Sequence, residues 1–429
     1  MNILLLGSGG REHALALKIS ASPLCKKLFI APGNPGTAQC GTNKTFAVSD
    51  FNQIKSCCVE EQIDMVIVGP EEPLVNGIVD FLKEDKNLRQ LQIIGPSKQA
   101  AQLEGSKAFA KTFMQKHNIP TAKYREFTEG NFTEGIEYLK THSLPIVLKA
   151  DGLAAGKGVI ICNSHVEAVS EFELMIQRSK FGEAGKRVVV EEFLTGIELS
   201  VFVLTDGKNY VLLPEAKDYK RVGEGDTGSN TGGMGAISPV PFADEKFMQK
   251  VIAKVVEPTV NGLIKDALDY KGFIFCGLIK VGDEPFVIEY NCRLGDPETE
   301  VVLPRIKNDL VSLLSATATQ NLAGIKIEKD ERFATAIVAV SGGYPNDYEK
   351  GFEIQHLPTA VEDMMVFHMG TTTSNGKTVT SGGRVVCATA LAATLAEALQ
   401  LSKDMIEDIT FEGKYFRSDI GFEFSKDTN

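Results

Sequence analysis

Apolar runs and helical patterns alternate along the first hundred residues of the chain. Four short apolar runs are typical of strands, and apolar residues recur at helical spacing between them. Because strand and helix alternate, right-handed crossovers should place these strands in one doubly wound parallel sheet. The predicted strands are Asn2–Leu6, Leu28–Ala31, Met65–Val68 and Gln92–Ile94, and the predicted helices are Glu12–Ser20 and Leu74–Lys83.

Each of these predicted strands ends in a loop rich in glycine or proline. In an open parallel sheet, the carboxyl ends of the strands form the crevice in which ligands bind. The sequence therefore predicts that four loops meet at one edge of the sheet. They are Gly7–Gly10, Pro32–Gly36, Gly69–Pro73 and Gly95–Ser97.

The pattern after residue 100 changes to a mixture of helices and short strands. The predicted helices are Ser106–His117, one from Val166, Asp244–Leu268 and Leu395–Ile409. The predicted strands are Pro145–Ala150, Gly158–Cys162, Arg187–Phe193, a hairpin of Glu198–Thr205 with Asn209–Leu213, then Phe273–Lys280, Pro285–Tyr290, Ala334–Val340 and Val385–Ala390. The polar, glycine-rich segment from Pro214 to Pro241 predicts a long functional or mobile loop.

Length and charge limit the classes of protein that fit. With 429 residues, the chain is too long for one hydrophobic core and predicts about three domains. A net charge of −11 argues against general nucleic-acid binding, although a local basic pocket can still hold a phosphorylated small molecule. The 8 cysteines lack zinc spacing, so we expect reduced thiols in a cytoplasmic protein. The apolar N-terminus lacks the features of a signal peptide, and no apolar run is long enough to span a membrane.

Polar side chains are unusually dense where the strand that begins at Val287 ends. Side chains alternate along a strand, so Glu289, Asn291 and Arg293 should point the same way. Carboxylate and amide oxygens suit Mg²⁺, and an arginine can grip a carboxylate or phosphate with two hydrogen bonds. An exposed strand with a structural Glu–Arg pair is the alternative, and the segment alone leaves the two about equal.

The loop Gly7-Ser8-Gly9-Gly10 follows a strand and opens a helix, an arrangement that can bind a phosphate. It is not a dinucleotide fingerprint, because Glu12 stands at the third glycine position and the second strand lacks a ribose-binding acid. A phosphate site and a purely structural turn both remain open. His13 could be catalytic, but a capping or buried role is favoured.

A second glycine-rich loop, Asp151–Gly158, lies between two predicted strands and is flanked by Lys149. It lacks the spacing of a P-loop. Lys149 ends an apolar strand, where it can meet a nucleotide phosphate, and the loop could close over the phosphates as a lid. A solvated hairpin is the alternative, although a loop of this length with Ala-Ala makes a poor turn.

Two further segments carry weaker signals. Backbone groups after the strand Val188–Glu192 could bind an adenine edge, although most such segments are only strands. The segment Asp218–Gly235 mixes acids, bases and glycines, which fits a mobile loop on an anionic substrate or a disordered surface excursion. No nucleophile–base constellation is evident, which disfavours covalent catalysis by the protein.

Eight motifs in one order resemble those of the phosphoribosylamine–glycine ligases, a family of the ATP-grasp superfamily. They are L-L-G-S-G-G-R-E-H, A-P-G-N-P-G-T, V-G-P-E-E-P-L, L-E-G-S-K, K-A-D-G-L-A-A-G-K-G-V, D-Y-K-R, N-T-G-G-M-G and E-Y-N-C-R-L-G-D-P-E-T. The resemblance covers the whole chain, including the C-terminal segments S-G-G-Y-P and S-G-G-R-V.

The resemblance implies an α/β and α+β multidomain fold with four parts. They are an N-terminal doubly wound substrate-binding domain (1–123, the pre-ATP-grasp domain), a small ATP-grasp lobe with the lid loop (124–194), a large ATP-grasp lobe with the metal site (195–325) and a C-terminal α+β domain (326–429).

The family resemblance also implies a reaction in de novo purine biosynthesis. ATP phosphorylates the glycine carboxylate, and the amine of 5-phosphoribosylamine attacks the resulting glycyl phosphate to give glycinamide ribonucleotide, ADP and phosphate. Mg²⁺ or Mn²⁺ and lysines would offset the charge on the phosphates. The expected partners are these small molecules, without nucleic acid or membrane, and the expected assembly is a monomer.

Residue roles follow from the same resemblance, motif by motif. Lys149 and Arg293 are expected to be catalytic, and Glu289 and Asn291 to bind the metal. The expected ATP-binding residues are Lys107, Lys149, Gly156, Lys157, Glu191, Glu192, Leu194 and Glu198. The expected substrate-binding residues are Gly9, Gly10, Gly33, Asn34, Asp218, Lys220, Arg221 and Arg293, with Lys220 or Arg221 on the phosphoribosylamine and Asp218 with Arg293 on the glycine.

Two departures from the family pattern matter. The strand before the metal strand, Cys276–Lys280, carries no acid, so only two protein ligands for the metal are expected. Tyr219 stands where some relatives have histidine, which leaves no histidine role in that loop.

Three rival functions remain open at this stage. They are an NAD-dependent oxidoreductase, a non-catalytic nucleotide sensor and another ATP-grasp ligase, such as a biotin-dependent carboxylase subunit or a formyl-phosphate-using purine enzyme. The missing third glycine disfavours the oxidoreductase. The motifs Arg11-Glu12-His13 and Asp218–Arg221 disfavour another ATP-grasp ligase.

Overall fold

The N-terminal domain is a parallel sheet with helices on both faces. The structure, a computed structural model, describes residues 1–153, 158–178, 180–358, 361 and 363–424. The strands pair in the order β3-β2-β1-β4-β5, and every pairing among them is parallel, which confirms the predicted doubly wound sheet. The strands are β1 (Asn2–Gly7), β2 (Lys27–Pro32), β3 (Thr42–Asn43), β4 (Met65–Val68) and β5 (Gln92–Pro96). The helices are α1 (Gly10–Ser20), α2 (Phe51–Glu60), α3 (Glu71–Asn76), α4 (Ile78–Glu84), α5 (Gln102–Gly105) and α6 (Lys107–Lys116).

The prediction of one helix over Leu74–Lys83 is wrong, because Gly77 separates α3 from α4. Gly77 has a φ of 93°, a left-handed conformation that ends one helix and lets the chain turn into the next. Helix α2 was not predicted. It begins after Asp50, whose carboxylate accepts a hydrogen bond from the Gln53 N–H.

The small lobe is a four-stranded antiparallel sheet covered by two helices. Its strand order is β6-β9-β7-β8, so β9 crosses between the two earlier strands. Buried Phe127, Phe172 and Met175 form the centre of a separate hydrophobic core. The elements are β6 (Tyr124–Thr128), α7 (Phe132–Thr141), β7 (Ile146–Ala150), β8 (Val159–Cys162), α8 (His165–Ile176) and β9 (Arg187–Glu192).

The segment from Pro214 to Pro241 is not a structureless loop, contrary to the prediction. It contains four short strands, of which β15 (Gly235–Ser238) pairs with the distant strand β18 (Phe333–Val340). Their polar, glycine-rich sequence shows no strand periodicity. Backbone pairing within the segment, and of β15 with β18, holds these strands in place. The elements between the small lobe and the long β16–β17 hairpin are β10 (Ile197–Thr205), β11 (Tyr210–Leu212), β12 (Lys217–Asp218), β13 (Arg221–Gly223), β14 (Thr227–Asn230), β15 (Gly235–Ser238), α9 (Glu245–Val251) and α10 (Glu257–Lys265), with a π-helical stretch at Ile252–Val256.

The large lobe continues the N-terminal sheet rather than forming a sheet of its own. Strand β16 (Tyr270–Val281) pairs with β10, with β17 (Glu284–Asn291) and, through Tyr270 and Lys271, with the end of β5. The result is one nine-stranded mixed sheet. Helices α11 (Thr299–Val302) and α12 (Leu310–Ala318) follow β17.

In the C-terminal domain, α13 packs on a second sheet, which is antiparallel throughout and ordered β12-β15-β18-β22-β19. The hydroxyl groups of Thr335 and Ser402 are 2.6 Å apart and join this sheet to the helix. The elements are β18 (Phe333–Val340), β19 (Met364–His368), β20 (Thr371–Ser374), β21 (Lys377–Thr380), β22 (Arg384–Ala392) and α13 (Leu395–Asp408). None of the helices in the described ranges is long and apolar enough to cross a membrane.

Candidate active site between the lobes

Lys149 lies where the small lobe meets the end of the large-lobe sheet. It ends β7, is buried, and its Nζ is 3.0 Å from Glu191 Oε2 on the neighbouring strand β9. The same ammonium donates to the carbonyl of Ile288 at 3.2 Å, next to Glu289 on β17. One lysine therefore contacts both lobes of the cleft.

Lys107, in the first turn of α6, contacts the start of the glycine-rich loop. Its Nζ donates to the Gly152 carbonyl at 2.9 Å, and the Asp151 carboxylate accepts hydrogen bonds from Ser106 Oγ and the Ala108 N–H. Burial lowers the pKa of Lys107, while the charge of Glu289 acts in the opposite direction. The predicted lid contacts Gly156 and Lys157 lie outside the described residues.

Glu289 and Asn291 lie two residues apart on β17 and are both half-buried. They pair with Gly277 and Phe275 of β16, where no carboxylate opposes them. Neither side chain forms a hydrogen bond or ion pair within residues 1–153, 158–178, 180–358, 361 and 363–424, so their oxygens are free to bind a cation. No cluster of three His, Cys, Asp or Glu that could hold a metal exists among the same residues. A hard cation held by one carboxylate and one amide oxygen commonly completes its shell with oxygens of water and phosphate.

A second charged group lies around Lys220. Its Nζ is 2.7 Å from Glu198 Oε2 and 4.0 Å from Asp218 Oδ1. The charge of Lys220 lowers the pKa of Glu198, whereas burial raises the pKa of Asp218. Arg221 does not join this group, because its guanidinium donates to the Gly228 carbonyl within the β13–β14 hairpin.

Glu298 is a buried acid in this region that the sequence analysis did not single out. Its Oε1 accepts a hydrogen bond from Ser200 Oγ at 3.1 Å. Burial, and next the neighbouring Asp218, raise the pKa of Glu298 to about 7. The signal available in the sequence was the acid-rich run Asp296-Pro297-Glu298-Thr299-Glu300.

Arg293 is held by protein carboxylates on two sides. Its Nε is 3.3 Å from Glu71, its Nη2 is 3.0 Å from Glu104, and its Nη1 donates to the Leu294 carbonyl. Burial raises the pKa of Glu104 to about 7. These contacts fix the guanidinium plane, so any ligand must approach a preoriented arginine.

Two of the four N-terminal loops, Gly7–Gly10 and Pro32–Gly36, meet at the edge of the parallel sheet where the sequence placed them. The Gly33 N–H donates to the Gly7 carbonyl, and Asn34 Nδ2 donates to the Ser8 carbonyl at 2.8 Å and to the His368 carbonyl at 2.9 Å. Asn34 is buried, so its side chain joins the loops to the C-terminal domain.

The start of α1 already faces carboxylates. The Gly9 N–H donates to Glu12 at 2.7 Å, and the Arg11 N–H donates to Asp296 at 3.4 Å. A Cβ placed on Gly10 would collide with Glu300. These contacts occupy part of the helix N-terminus that the sequence analysis offered to a phosphate.

His13 is buried, and its Nδ1 accepts a hydrogen bond from the His368 N–H at 2.9 Å. Burial, and next the neighbouring His368, lower the pKa of His13 to about 3. The buried role favoured from sequence matches this environment.

The expected adenine segment lies at the end of β9. Glu191 is buried against Lys149, whereas Glu192 accepts a hydrogen bond from the Lys123 N–H at 2.9 Å. Leu194 is half-exposed just beyond the strand. Lys123 and Glu192 thus join the two strands that lead into and out of the small lobe.

The fold and this cleft define the class of protein. An antiparallel small lobe places Lys149 against the end of a larger sheet, which is the ATP-grasp arrangement. The biotin carboxylase domain of the Hydrogenobacter thermophilus 2-oxoglutarate carboxylase is similar in fold, with a TM-score of 0.74 at 16% identity over 96% of this chain and 91% of that one.

The chain belongs to the phosphoribosylglycinamide synthetase family. Family models match its N domain at residues 1–104, its ATP-grasp (A) domain at 105–299 and its C domain at 334–423. The family predicted from the eight motifs is therefore confirmed.

Relatives match along the whole length of the chain. The phosphoribosylamine–glycine ligases of Pasteurella multocida and Haemophilus influenzae are 46% and 47% identical, each over 98% of both chains. The crystal structure of the phosphoribosylamine–glycine ligase from Thermotoga maritima has a TM-score of 0.84 at 35% identity and covers 98% of this chain and 100% of that one.

Proposed function

We propose that the protein joins glycine to 5-phosphoribosylamine with ATP and forms glycinamide ribonucleotide, ADP and phosphate in purine biosynthesis. The observation that carries this proposal is the placement of two lysines near Glu289, in a chain that matches such ligases over its full length. Lys107 is buried within the electrostatic influence of Glu289, and Lys149 donates to the carbonyl of Ile288, the residue before Glu289. The nucleotide sensor is disfavoured, because relatives that match this chain over its full length are ligases.

The chemistry requires an activated carboxylate. Transfer of the γ-phosphoryl group to glycine creates glycyl phosphate, and attack of the amine nitrogen on its carbonyl carbon forms the amide and expels phosphate. Lys107 and Lys149 would bind the transferred and bridging phosphates and stabilise their charge. Closure of the loop 152–158 would exclude the water that hydrolyses the intermediate.

Glu289 and Asn291 would hold Mg²⁺ or Mn²⁺. Their unpaired oxygens on one strand fit a hard cation that shares its remaining positions with phosphates and water. Such an ion would neutralise phosphate charge and orient the γ-phosphoryl group.

The remaining sites extend from this cleft in two directions. Glu191, Glu192 and Leu194 would bind the adenine and Glu198 the ribose, while Asp218 and Arg293 would bind the amine and carboxylate of glycine. The phosphoribosylamine would lie against the glycine loops, with Gly9, Gly10, Gly33 and Asn34 as neighbours. Of the two basic candidates for binding phosphoribosylamine, Lys220 is favoured over Arg221. Lys220 lies among the acids of the cleft, whereas Arg221 donates to the Gly228 carbonyl.

Several wider features belong to the same proposal. They are the four domains at 1–123, 124–194, 195–325 and 326–429, a cytoplasmic location, a monomeric state and small-molecule partners without nucleic acid or membrane. The net charge of −11 supports the last point, because nucleic-acid binding favours a basic surface.

The decisive test is ADP release from ATP with Mg²⁺ and freshly prepared 5-phosphoribosylamine across a panel of amino acids. We expect turnover with glycine and with no other amino acid of the panel. We also expect that it requires both glycine and 5-phosphoribosylamine. ADP release without the amine, or with another amino acid in place of glycine, would overturn the substrate assignment.

A further inference from the structure

A second lysine on α6 is buried beside the nucleotide site. Lys111 lies one helical turn after Lys107, on the same helix face, and only 2% of the residue is exposed. Its Nζ donates to Thr121 Oγ1 at 2.8 Å and to the Ala122 carbonyl at 3.3 Å, and lies 3.1 Å from Glu191 Oε2. Burying an ammonium this completely is costly unless its partners are fixed.

One carboxylate oxygen is shared between two ammonium groups. Glu191 Oε2 is 3.1 Å from Lys111 and 3.0 Å from Lys149. Glu191 Oε1 is buried and has no hydrogen-bond partner among the residues that the structure describes. The carboxylate is therefore held on one side by two cations and keeps an unused acceptor on the other.

The shared oxygen lies in a network that reaches the metal strand twice. Thr121 Oγ1 donates to the Val287 carbonyl at 2.7 Å, and Lys149 donates to the next carbonyl, that of Ile288. These carbonyls belong to the two residues that precede Glu289. Lys111 thus lies on a continuous set of contacts between α6, the small lobe and the strand that carries the proposed cation ligands.

We propose that Lys111 is a positioning residue that keeps Glu191 neutralised and in place while Lys149 leaves it to bind the nucleotide phosphates. The inference rests on the proposed ATP site. With one cation, Glu191 would hold Lys149 in a full buried ion pair, and releasing Lys149 would leave a buried carboxylate uncompensated. With two cations beside it, Glu191 keeps Lys111 as its partner when Lys149 turns to the phosphates.

The ionisation of Lys111 offers a second readout. Burial is the main cause that lowers the pKa of Lys111 to about 8, and the charge of Lys149 also lowers this pKa. The charges of Glu191 and Glu192 act in the opposite direction. The aromatic ring of Tyr124 also faces the Lys111 ammonium, with its centroid 5.5 Å from Nζ. Lys111 loses its charge as the pH rises through about 8, so it can no longer neutralise Glu191. Nucleotide affinity should therefore fall over this pH range, in which the ATP phosphates stay fully ionised.

The test is calorimetric binding of a non-hydrolysable ATP analogue with Mg²⁺ to four proteins: wild type, Lys111→Met, Glu191→Gln and the double variant. Lys111→Met should weaken binding by about tenfold or more. In the Glu191→Gln background the same change should cost less than about twofold, because no carboxylate is left to neutralise. The KM for glycine should stay within about twofold of wild type in Lys111→Met.

A matched control lies on the same helix. Lys116 is exposed and pairs with Asp266, so Lys116→Met should leave binding unchanged. Equal losses from Lys111→Met in both backgrounds, or no loss at all, would overturn the proposal. Failure of the wild type to bind the analogue would instead overturn the proposed ATP site.

If Lys111→Met does not fold, the pH dependence of analogue binding tests the role of Lys111 instead. Analogue affinity of the wild type should decline with a midpoint near pH 8, and this decline should be absent in Glu191→Gln. The same decline in both proteins, or a flat wild-type profile, would contradict the role of Lys111.

Discussion

Lys149 and Glu289 belong to different lobes, yet they are linked through the Ile288 carbonyl. The bulge in the pairing of β17 with β16 falls at Ile288, between Val287 and Glu289. A bulge re-aims the side chains that follow it. The bulge therefore directs the proposed cation ligands, and its extra residue is the one whose carbonyl the proposed phosphate-binding lysine contacts.

Replacing Lys149 with methionine should weaken ATP-analogue binding by about tenfold to a hundredfold, since a charge-assisted hydrogen bond to phosphate is lost. Titration calorimetry measures the effect. Lys140→Met, an exposed change in the same lobe, should bind like the wild type. Unchanged affinity in Lys149→Met would remove this residue from the site.

Replacing Glu289 with glutamine should abolish most metal-dependent turnover while the fold survives. The half-buried side chain has no partner to lose in the described residues, so thermal stability should stay close to that of the wild type. Glu284→Gln at the other end of β17, where Glu284 pairs with Lys250, is the control and should remain active. Activity close to wild type in Glu289→Gln would contradict the metal assignment.

At the scale of elements, single residues decide where the helices break. The apolar spacing across Leu74–Lys83 fits one helix, but Gly77 has a left-handed conformation and ends α3. A spacing pattern cannot show that break, because glycine is tolerated within a helix as well as at its end.

Replacing Gly77 with alanine should destabilise the N-terminal domain by about 1–2 kcal/mol, the cost of a left-handed residue with a Cβ. The new Cβ would also lie 3.1 Å from Lys98 Cδ. Urea unfolding followed by circular dichroism measures the change. Gly130→Ala, where no left-handed φ is required, should be close to neutral, and equal effects at the two sites would contradict the conformational argument.

At the scale of the whole molecule, the N-terminal and ATP-grasp parts share one sheet, and the C-terminal sheet takes strands from the segment 214–241. Asp218 lies on β12 of that second sheet, whereas Asn291 ends a strand of the first. The proposed glycine and metal sites therefore depend on how the two sheets are placed.

The packing of α1 against β19 should make the protein sensitive to acid. Burial lowers the pKa of His13 to about 3 and that of His368 to about 4. Both imidazoles are neutral when folded, so their contribution to stability is complete above pH 6.5 and is lost as the pH falls towards these values. The loss should be about 2 kcal/mol for each imidazole by pH 5.

Thermal unfolding between pH 7.5 and 5 tests this expectation. His368→Asn should flatten the dependence of the melting temperature on pH, whereas His356→Asn, at an exposed position, should leave the slope unchanged. Identical slopes in all three proteins would show that these imidazoles do not govern the acid limb.

The sequence by itself determined the local and repetitive parts of this protein. Its apolar runs gave β4 with its observed bounds and most other long elements within a few residues, because alternation and helical spacing are local properties. Its motifs gave the family, and their order placed Lys149, Glu289 and Asn291 among the candidates before any contact was known.

Tertiary structure alone decided which groups meet. The joining of β5 to β16, the strands in 214–241 and the shared Glu191 oxygen all depend on residues far apart in the chain. Lys111 and Glu298 gave no periodic signal, since a buried charge is shown only by the partners that surround it. The physical reason is that pairing and desolvation are set by neighbours in space, which a linear pattern does not contain.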